Sequence, residues 1–398
     1  MNLLHLWYRT YQCVFGLGAR LLPWRRPETV TGPGSLARIP ALLTKCGTRR
    51  PLVAASRRQC ADPAFQQMLS RLEGYALFSD IQPNPPVSAV EAAAALYRRE
   101  GCDSLVAVGG GSPMDTAKAA AALLARPDRT LSQLAGLLKV RRPIPPFIAV
   151  PTTAGTGSEV TFDAVITDTE AHEKLNILDI KIAPKVALVD PTVLKGLPEK
   201  VMASTGVDAL IHAVEAYTCK AASPVTDAFA LYAIDLIGAN IREAVYQRTP
   251  ESCKAMMLGS TMAGVAFGYS DVAAVHCIAE ALGGRYDTPH GVSNAMVLST
   301  VTEFNIPANT EKYAEIARHL GVDTTGMTEE EAAYSCVDAM KSICTDVKIP
   351  KMRDFEVIDP ADFQALAEAS FRNMSTPNNP RELSVQDFFD LLTKAYNA

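Results

Sequence analysis

The sequence predicts a chain of two domains, an α/β half built on a parallel sheet followed by an all-helical half. Three observations carry this. A chain of 398 residues exceeds what one hydrophobic core usually organises. From about residue 50 to 192, short β-branched runs alternate with helical stretches, the pattern of strands joined by crossover helices. Beyond about Lys200 the strand-like runs stop and long helical patterns take over. The boundary is set near residue 192. This gives an N-terminal extension over 1–28, an α/β domain over 29–192 and a helical domain over 193–398.

The elements follow in order. PLVAAS (51–56) reads as a strand, Pro63 to Tyr75 as a helix and YALFSD (75–80) as a second strand. An Ala-rich helix over Val87 to Arg99 precedes the strand SLVAVGG (104–110). A helix over Pro113 to Ala125 precedes the strand PFIAVPT (146–152). Helical patterns then cover 201–220, 224–245, 251–283, 310–320, 328–346 and 360–372. PNNPREL (377–383) is a loop before a last helix over 384–396. At the N-terminus Leu3, Leu4, Trp7, Tyr11, Val14, Phe15, Leu21 and Leu22 form an apolar stripe at helical steps. Such a stripe suits docking on the chain's own body or on a second subunit. With Arg9, Arg20, Arg25 and Arg26 beside it, weak contact of residues 1–26 with a membrane surface is the alternative.

Composition narrows the function. Apolar residues make up 48% and charged residues 20%, an ordinary globular balance. A net charge of -5 gives no reason to expect a nucleic-acid partner. Residues 1–60 nevertheless hold ten Lys/Arg against the single acid Glu28, which suits a cofactor phosphate or an acidic lipid surface. Nine cysteines without CxxC spacing point to neither a disulfide framework nor a zinc finger, and fit a reducing cytoplasm. No apolar run is long enough to span a bilayer.

Two glycine loops suggest a nucleotide. VAVGGGSPMDTAKAAAA (106–122) is a strand, a glycine turn and a helix. Glycines let backbone N–H groups approach an anion. Ser112 is placed to cap the helix, Pro113 suits its first turn, and a helix N-terminus favours phosphate. The spacing is neither GxGxxG nor a P-loop. A tight structural turn therefore stays open, with Asp115 only complementing the helix dipole. VPTTAGTGSEVT (150–161) follows the next strand with small polar donors. Two such loops at the carboxyl ends of strands in one sheet favour a cofactor crevice.

The helical half holds a candidate metal set. Asp208 and His212 stand at i, i+4 in STGVDALIHAVEAY (204–217), on one helix face. His276 and His290 lie fourteen residues apart in HCIAEALGGRYDTPHG (276–291), the first on a helical pattern and the second in a loop or turn. One Asp and three His make a mixed oxygen–nitrogen site for Fe(II) or Zn(II). Read singly, they are a hydrogen-bonded pair, a core histidine and a turn residue.

These pieces together resemble a family, the iron-containing (group III) alcohol dehydrogenases of the dehydroquinate synthase-like fold. TGPGSL (31–36), GGGSPMDTAK (109–118), PTTAGTGSE (151–159), VDP (189–191), GVDALIHAVEAY (206–217), HCIAEALGG (276–284), PHGVSNA (289–295) and NPRELS (379–384) match in order. The match covers nearly all of the chain beyond residue 28. The resemblance implies an oxidoreductase, expected to form a homodimer. It implies NADP or NAD in the α/β half and one divalent metal, Fe(II) or alternatively Zn(II), in the helical half. It assigns Asp208, His212, His276 and His290 as metal ligands. Cofactor contacts fall on Gly109, Gly110, Gly111, Ser112, Asp115, Thr152, Thr153, Ser158 and Lys174. The implied chemistry is Lewis-acid activation of a small alcohol or aldehyde and hydride transfer to or from nicotinamide.

Two positions depart from the family pattern. Relatives often carry a further His four residues after the ligand matching His276, and here that position is Glu280. A carboxylate there is a candidate to bind a polar substrate, accept a proton or act as a fifth ligand. Many NAD-using relatives carry Asp at the end of the first strand, and here Ser56 stands there, followed by Arg57 and Arg58. Removing an anion and adding cations favours NADP. An alternative keeps the fold with another reaction, a polyol-phosphate dehydrogenase or a dehydroquinate synthase-like lyase. Arg285 is the only Lys or Arg in 204–217 and 264–295, which argues against a phosphorylated substrate and for a small, weakly polar one. Phe267, Tyr269 and Tyr286 are candidates to line its pocket.

Overall fold

The computed structural model describes Trp7, Thr10 and residues 26–169 and 173–398. The expected N-terminal amphipathic stripe and its membrane-surface contact fall outside these residues, apart from exposed Trp7. The described residues divide into two compact units, 26–197 and Pro198–Ala398.

The first unit is built on strands β1 (Glu28–Thr31), β2 (Pro51–Ala55), β3 (Ala76–Phe78), β4 (Ser104–Gly109), β5 (Phe147–Pro151) and, after a hairpin of β6 (Asp163–Asp168) with β7 (Glu173–Leu178), β8 (Val186–Val189). Six of them form one parallel sheet in the order β1-β8-β5-β4-β2-β3. Every residue of β2, β4 and β5 is buried, because helices cover both faces. Leu52, Ala54, Leu105, Ala107, Phe147 and Ala149 point into one core, with helices α1 (Val87–Arg99) and α2 (Gly111–Ala125). Their neighbours Val53, Ala55, Val106, Val108, Ile148 and Val150 point into the other. The period-2 geometry of a strand thus turns each continuous apolar run into two half-cores. Asp190, just past β8, accepts the amides of Gly34 and Leu36 at 3.1 and 2.9 Å, which joins the TGPGSL and VDP motifs.

The second unit is helical: α3 (Glu199–Thr218), α4 (Pro224–Tyr246), α5 (Pro250–Tyr269), α6 (Ala274–Tyr286), α7 (His290–Asn305), α8 (Thr310–His319), α9 (Glu329–Asp346), α10 (Phe363–Arg372) and α11 (Val385–Asn397). Every residue of α3 from Gly206 to Thr218 is buried, so it is the central helix of the unit. Among the described residues no single helix is long and apolar enough to cross a membrane.

Four local expectations are corrected. The helix beginning at Pro63 ends at Leu69 rather than Tyr75. Helix α2 starts at Gly111 with Gly110 in the cap position, so Ser112 lies inside the first turn instead of capping it. The pattern over 251–283 is two helices, α5 and α6, meeting at 98°. At the break the Ser270 hydroxyl bonds back to the Ala266 carbonyl at 2.9 Å, and Asp271 takes a φ of 143°, outside the helical range. His290 is the first residue of helix α7 rather than part of a loop, with Pro289 before it supplying an extended cap.

Candidate functional site: metal centre and cofactor loops

The bend between α5 and α6 delivers His276 to the central helix. Asp208 and His212 lie one turn apart on α3, His276 in the first turn of α6, and His290 at the start of α7. One ligand atom from each lies within 4.8 Å of the others. The His276 and His290 Nε2 atoms stand 4.0 and 3.8 Å from the same Asp208 oxygen, Oδ1. The rings of His212 and His276 are 4.5 Å apart, and those of His276 and His290 5.4 Å. Asp208, His212 and His276 are buried, whereas the His290 side chain is 47% exposed, which leaves one side of the cluster open.

These residues fit a divalent cation. His276 Nε2 is buried with no hydrogen-bond partner among the described residues. A buried polar atom without a partner needs a reason, and an absent ion is one. Its other nitrogen, Nδ1, lies 2.6 Å from Glu215 Oε2. Placing the proton on Nδ1, as that contact requires, leaves the Nε2 lone pair facing Asp208. Glu215 also accepts the amides of Ala273 and Val275, at 2.9 and 2.7 Å. Burial works against a charged imidazole at His276, but Glu215 outweighs it and holds the group above its ordinary value. Burial likewise pushes the Asp208 carboxyl up. The surrounding His212, His290 and His276, with Asn294, outweigh it and hold the group down. The Asn294 amide donates to Asp208 Oδ1 at 2.7 Å and lies 3.1 Å from His290 Nε2.

Glycine 291 makes the close approach. A Cβ at Gly291 would lie 2.5 Å from the Ser204 carbonyl oxygen and 3.2 Å from Asp208 Cβ. Only a bare Cα lets the start of α7 sit against α3.

Glu215 and Asn294 were missed by sequence reasoning. Their signals are local and weak: Glu215 follows Asp208 by seven residues, on the same helix face, and Asn294 follows His290 by four. Glu280 stands apart from the four-residue cluster. It is exposed, and its Oε2 accepts the Asn373 side-chain amide at 2.7 Å. Phe267 stacks on His212 at 4.3 Å between centroids. Arg285 and Tyr286 are instead both bound to Asp362, at 2.7 and 2.8 Å.

In the first unit the two glycine loops meet. A Cβ on Gly109 would lie 2.4 Å from the Pro113 ring, so the turn into α2 closes only with glycine. The Thr152 amide donates to the Gly109 carbonyl at 2.9 Å. The missing Cβ atoms of Gly110 and Gly111 face Thr153 and Thr156, at 3.3 and 3.4 Å. Beneath them, fully buried Lys118 donates to Ser158 Oγ, Thr161 Oγ1 and the Asp163 carbonyl at 2.9, 3.1 and 2.9 Å, which pins the second loop to α2. Lys118 was also missed, since it reads as one more helix residue. Asp115 is 3.4 Å from the same Ser158 hydroxyl, and burial pushes its carboxyl up to about 7 against the pull of Lys118. Ser56 caps the short helix after β2 by accepting the Gln59 amide at 3.3 Å. Arg57 follows it and pairs with Asp80 at 3.0 Å. Lys174 lies on β7, bound to Asn84 and Thr167 at 2.9 and 2.8 Å.

The Asp115 shift predicts a pH dependence. Its pKa is higher folded than unfolded, so the unfolded chain releases its proton first as pH rises. The stability it contributes is complete below about 4 and is lost as pH rises toward 7. Denaturation midpoints of the cofactor-free protein should fall across that window relative to Asp115→Asn. Parallel curves for the two proteins would refute the assignment.

Comparisons with known proteins identify the family. The model of the iron-containing alcohol dehydrogenases matches residues 27–191. The model of the Fe-containing alcohol dehydrogenase family, C-terminal, matches 202–396. The chain is 38% identical to 1,3-propanediol dehydrogenase of Klebsiella pneumoniae, over 92% of this chain and 96% of that one. It is 38% identical to lactaldehyde reductase of Escherichia coli (strain K12), over 81% and 84%. A crystal structure of 1,3-propanediol oxidoreductase superposes with a TM-score of 0.92 at 36% identity, covering 94% of this chain and all of that one. The chain belongs to the iron-containing alcohol dehydrogenases, oxidoreductases that move hydride between an alcohol or aldehyde and a nicotinamide cofactor with the help of a divalent metal.

Proposed function

We propose that Asp208, His212, His276 and His290 hold one Fe(II), with Zn(II) as the alternative ion, and that the enzyme reduces small aldehydes in the cytoplasm with NADPH in preference to NADH. The observation that carries the ligand set is His276 Nε2, partnerless and aimed by Glu215 at a buried carboxylate. A divalent ion there supplies a Lewis acid for the substrate oxygen. Around it, Glu215 fixes the His276 tautomer, Asn294 holds Asp208, and Phe267 shields the His212 ring from water. In the first unit the amides of Gly109, Gly110, Gly111 and Ser112 at the start of α2 receive the pyrophosphate. Asp115, Thr152, Thr153 and Ser158 line the nicotinamide half, and Ser56 with Arg57 the adenosine half. Lys174 has a lesser, electrostatic part. Cytoplasmic placement is supported by the described cysteines, all of them free thiols. The test is elemental analysis of anaerobically purified protein, with 340 nm turnover on an aldehyde panel. About one iron per chain with faster NADPH than NADH oxidation supports the proposal. Protein that binds no metal overturns it.

The substrate is a short aldehyde with a second oxygen. The relatives named above take their names from short compounds with two oxygens, one a diol and the other a hydroxyaldehyde. Glu280 offers the acceptor for that hydroxyl, one helical turn past His276 and held by Asn373. Arg285, the nearby cation, is already bound to Asp362, so a phosphate finds no partner there. Glu280→Ala should lower kcat/KM for lactaldehyde roughly tenfold while leaving propionaldehyde nearly unchanged. An equal loss on both substrates refutes this role.

A further inference from the structure

The carboxyl edge of the parallel sheet carries a charge pair that the metal centre and the glycine loops do not account for. Along that edge the strands run β5, β4, β2, β3. The glycine loops follow β5 and β4, Ser56 and Arg57 follow β2, and Asp80 lies two residues past β3. Neighbouring strands are about 4.8 Å apart. A dinucleotide whose pyrophosphate rests at the start of α2 therefore meets Arg57 one strand away and Asp80 one strand further. Arg57 Nη2 is 3.0 Å from Asp80 Oδ1, and the two side chains are 80% and 69% exposed.

A guanidinium at the ribose end is what a 2′-phosphate requires, because its fork matches phosphate oxygens. Here the fork is already turned to a carboxylate. We propose that Asp80 is a cofactor-specificity residue: by holding Arg57 it competes with the 2′-phosphate and lowers the ratio of NADP to NAD use. A 2′-hydroxyl does not enter this competition, so NAD is left alone. The inference rests on the reading that Arg57 meets the 2′-phosphate. Because the pair is exposed, its effect is modest, roughly two- to fivefold.

The test measures NADPH and NADH dissociation constants by nucleotide fluorescence on the metal-loaded full chain. It compares the wild type, Asp80→Asn, Arg57→Gln and the double variant. Asp80→Asn should tighten NADPH roughly two- to fivefold and leave NADH nearly unchanged. Arg57→Gln should weaken NADPH selectively, and adding Asp80→Asn to it should then gain almost nothing. Unchanged thermal denaturation midpoints serve as the folding control. An Asp80→Asn variant with an unmoved NADPH:NADH ratio, or the same gain without Arg57, overturns the inference. A wild type that prefers NADH, with the ratio still rising in Asp80→Asn, refutes the NADP preference and upholds the role of Asp80.

Discussion

Replacing Glu215 by glutamine is expected to weaken metal binding by about ten- to a hundredfold. The buried carboxylate takes three N–H groups at once: the Ala273 amide, the Val275 amide and His276 Nδ1. Glutamine has one acceptor oxygen and brings an NH2 group of its own. At least one donor is left facing another donor, and the imidazole loses the anion that favours its ligating tautomer. The measurement is metal retained against a graded chelator, read by elemental analysis, with NADH fluorescence as a control on the first unit. Retention equal to wild type would show that Glu215 serves the helix start alone.

Gly291→Ala should be as damaging by a different route. The added methyl would meet the Ser204 carbonyl at 2.5 Å, a backbone atom that cannot swing aside. Either α7 shifts away from α3 or the turn at Pro289 reopens. His290 rides on that turn and Asp208 lies 3.2 Å from the same methyl, so the ligand set spreads. Overpacking of this kind costs roughly 1–3 kcal/mol of stability. We expect a lowered denaturation midpoint together with loss of metal and of most turnover. A variant with full metal content and wild-type kcat would show that the contact relaxes without moving the ligands.

Much of this was legible in the sequence, and the pattern of misses has physical causes. β2, β4 and β5 were readable because strands buried on both faces are continuous apolar runs. β1 was not, since three of its four residues are exposed at the sheet edge. β6 and β7 pair with each other through polar residues such as Asp163, Thr167 and Asn176, so their alternation is faint. Helix α7 opens with small residues, and its early turns are buried on several sides, so no amphipathic stripe marks it. At the site, spacing gave the pair Asp208–His212, and shared placement in the helical half made His276 and His290 candidates beside it. Assigning all four as ligands took the resemblance, because sixty-odd residues and a bend intervene. Glu215 and Lys118 were invisible for a related reason: each earns its role from groups delivered by distant elements.

The double use of Glu215 has a consequence for how the protein is made. The amino end of α6 and the aim of His276 depend on one carboxylate that leaves the ribosome about sixty residues before them. Until α6 turns back through its 98° corner, Glu215 is a charge bound for a dry interior with nothing to neutralise it. The imidazole of His276 and the amides that settle this charge arrive together. On the proposed ligand set, ion capture is expected late in maturation, and nascent chains short of α7 are expected to take up no metal.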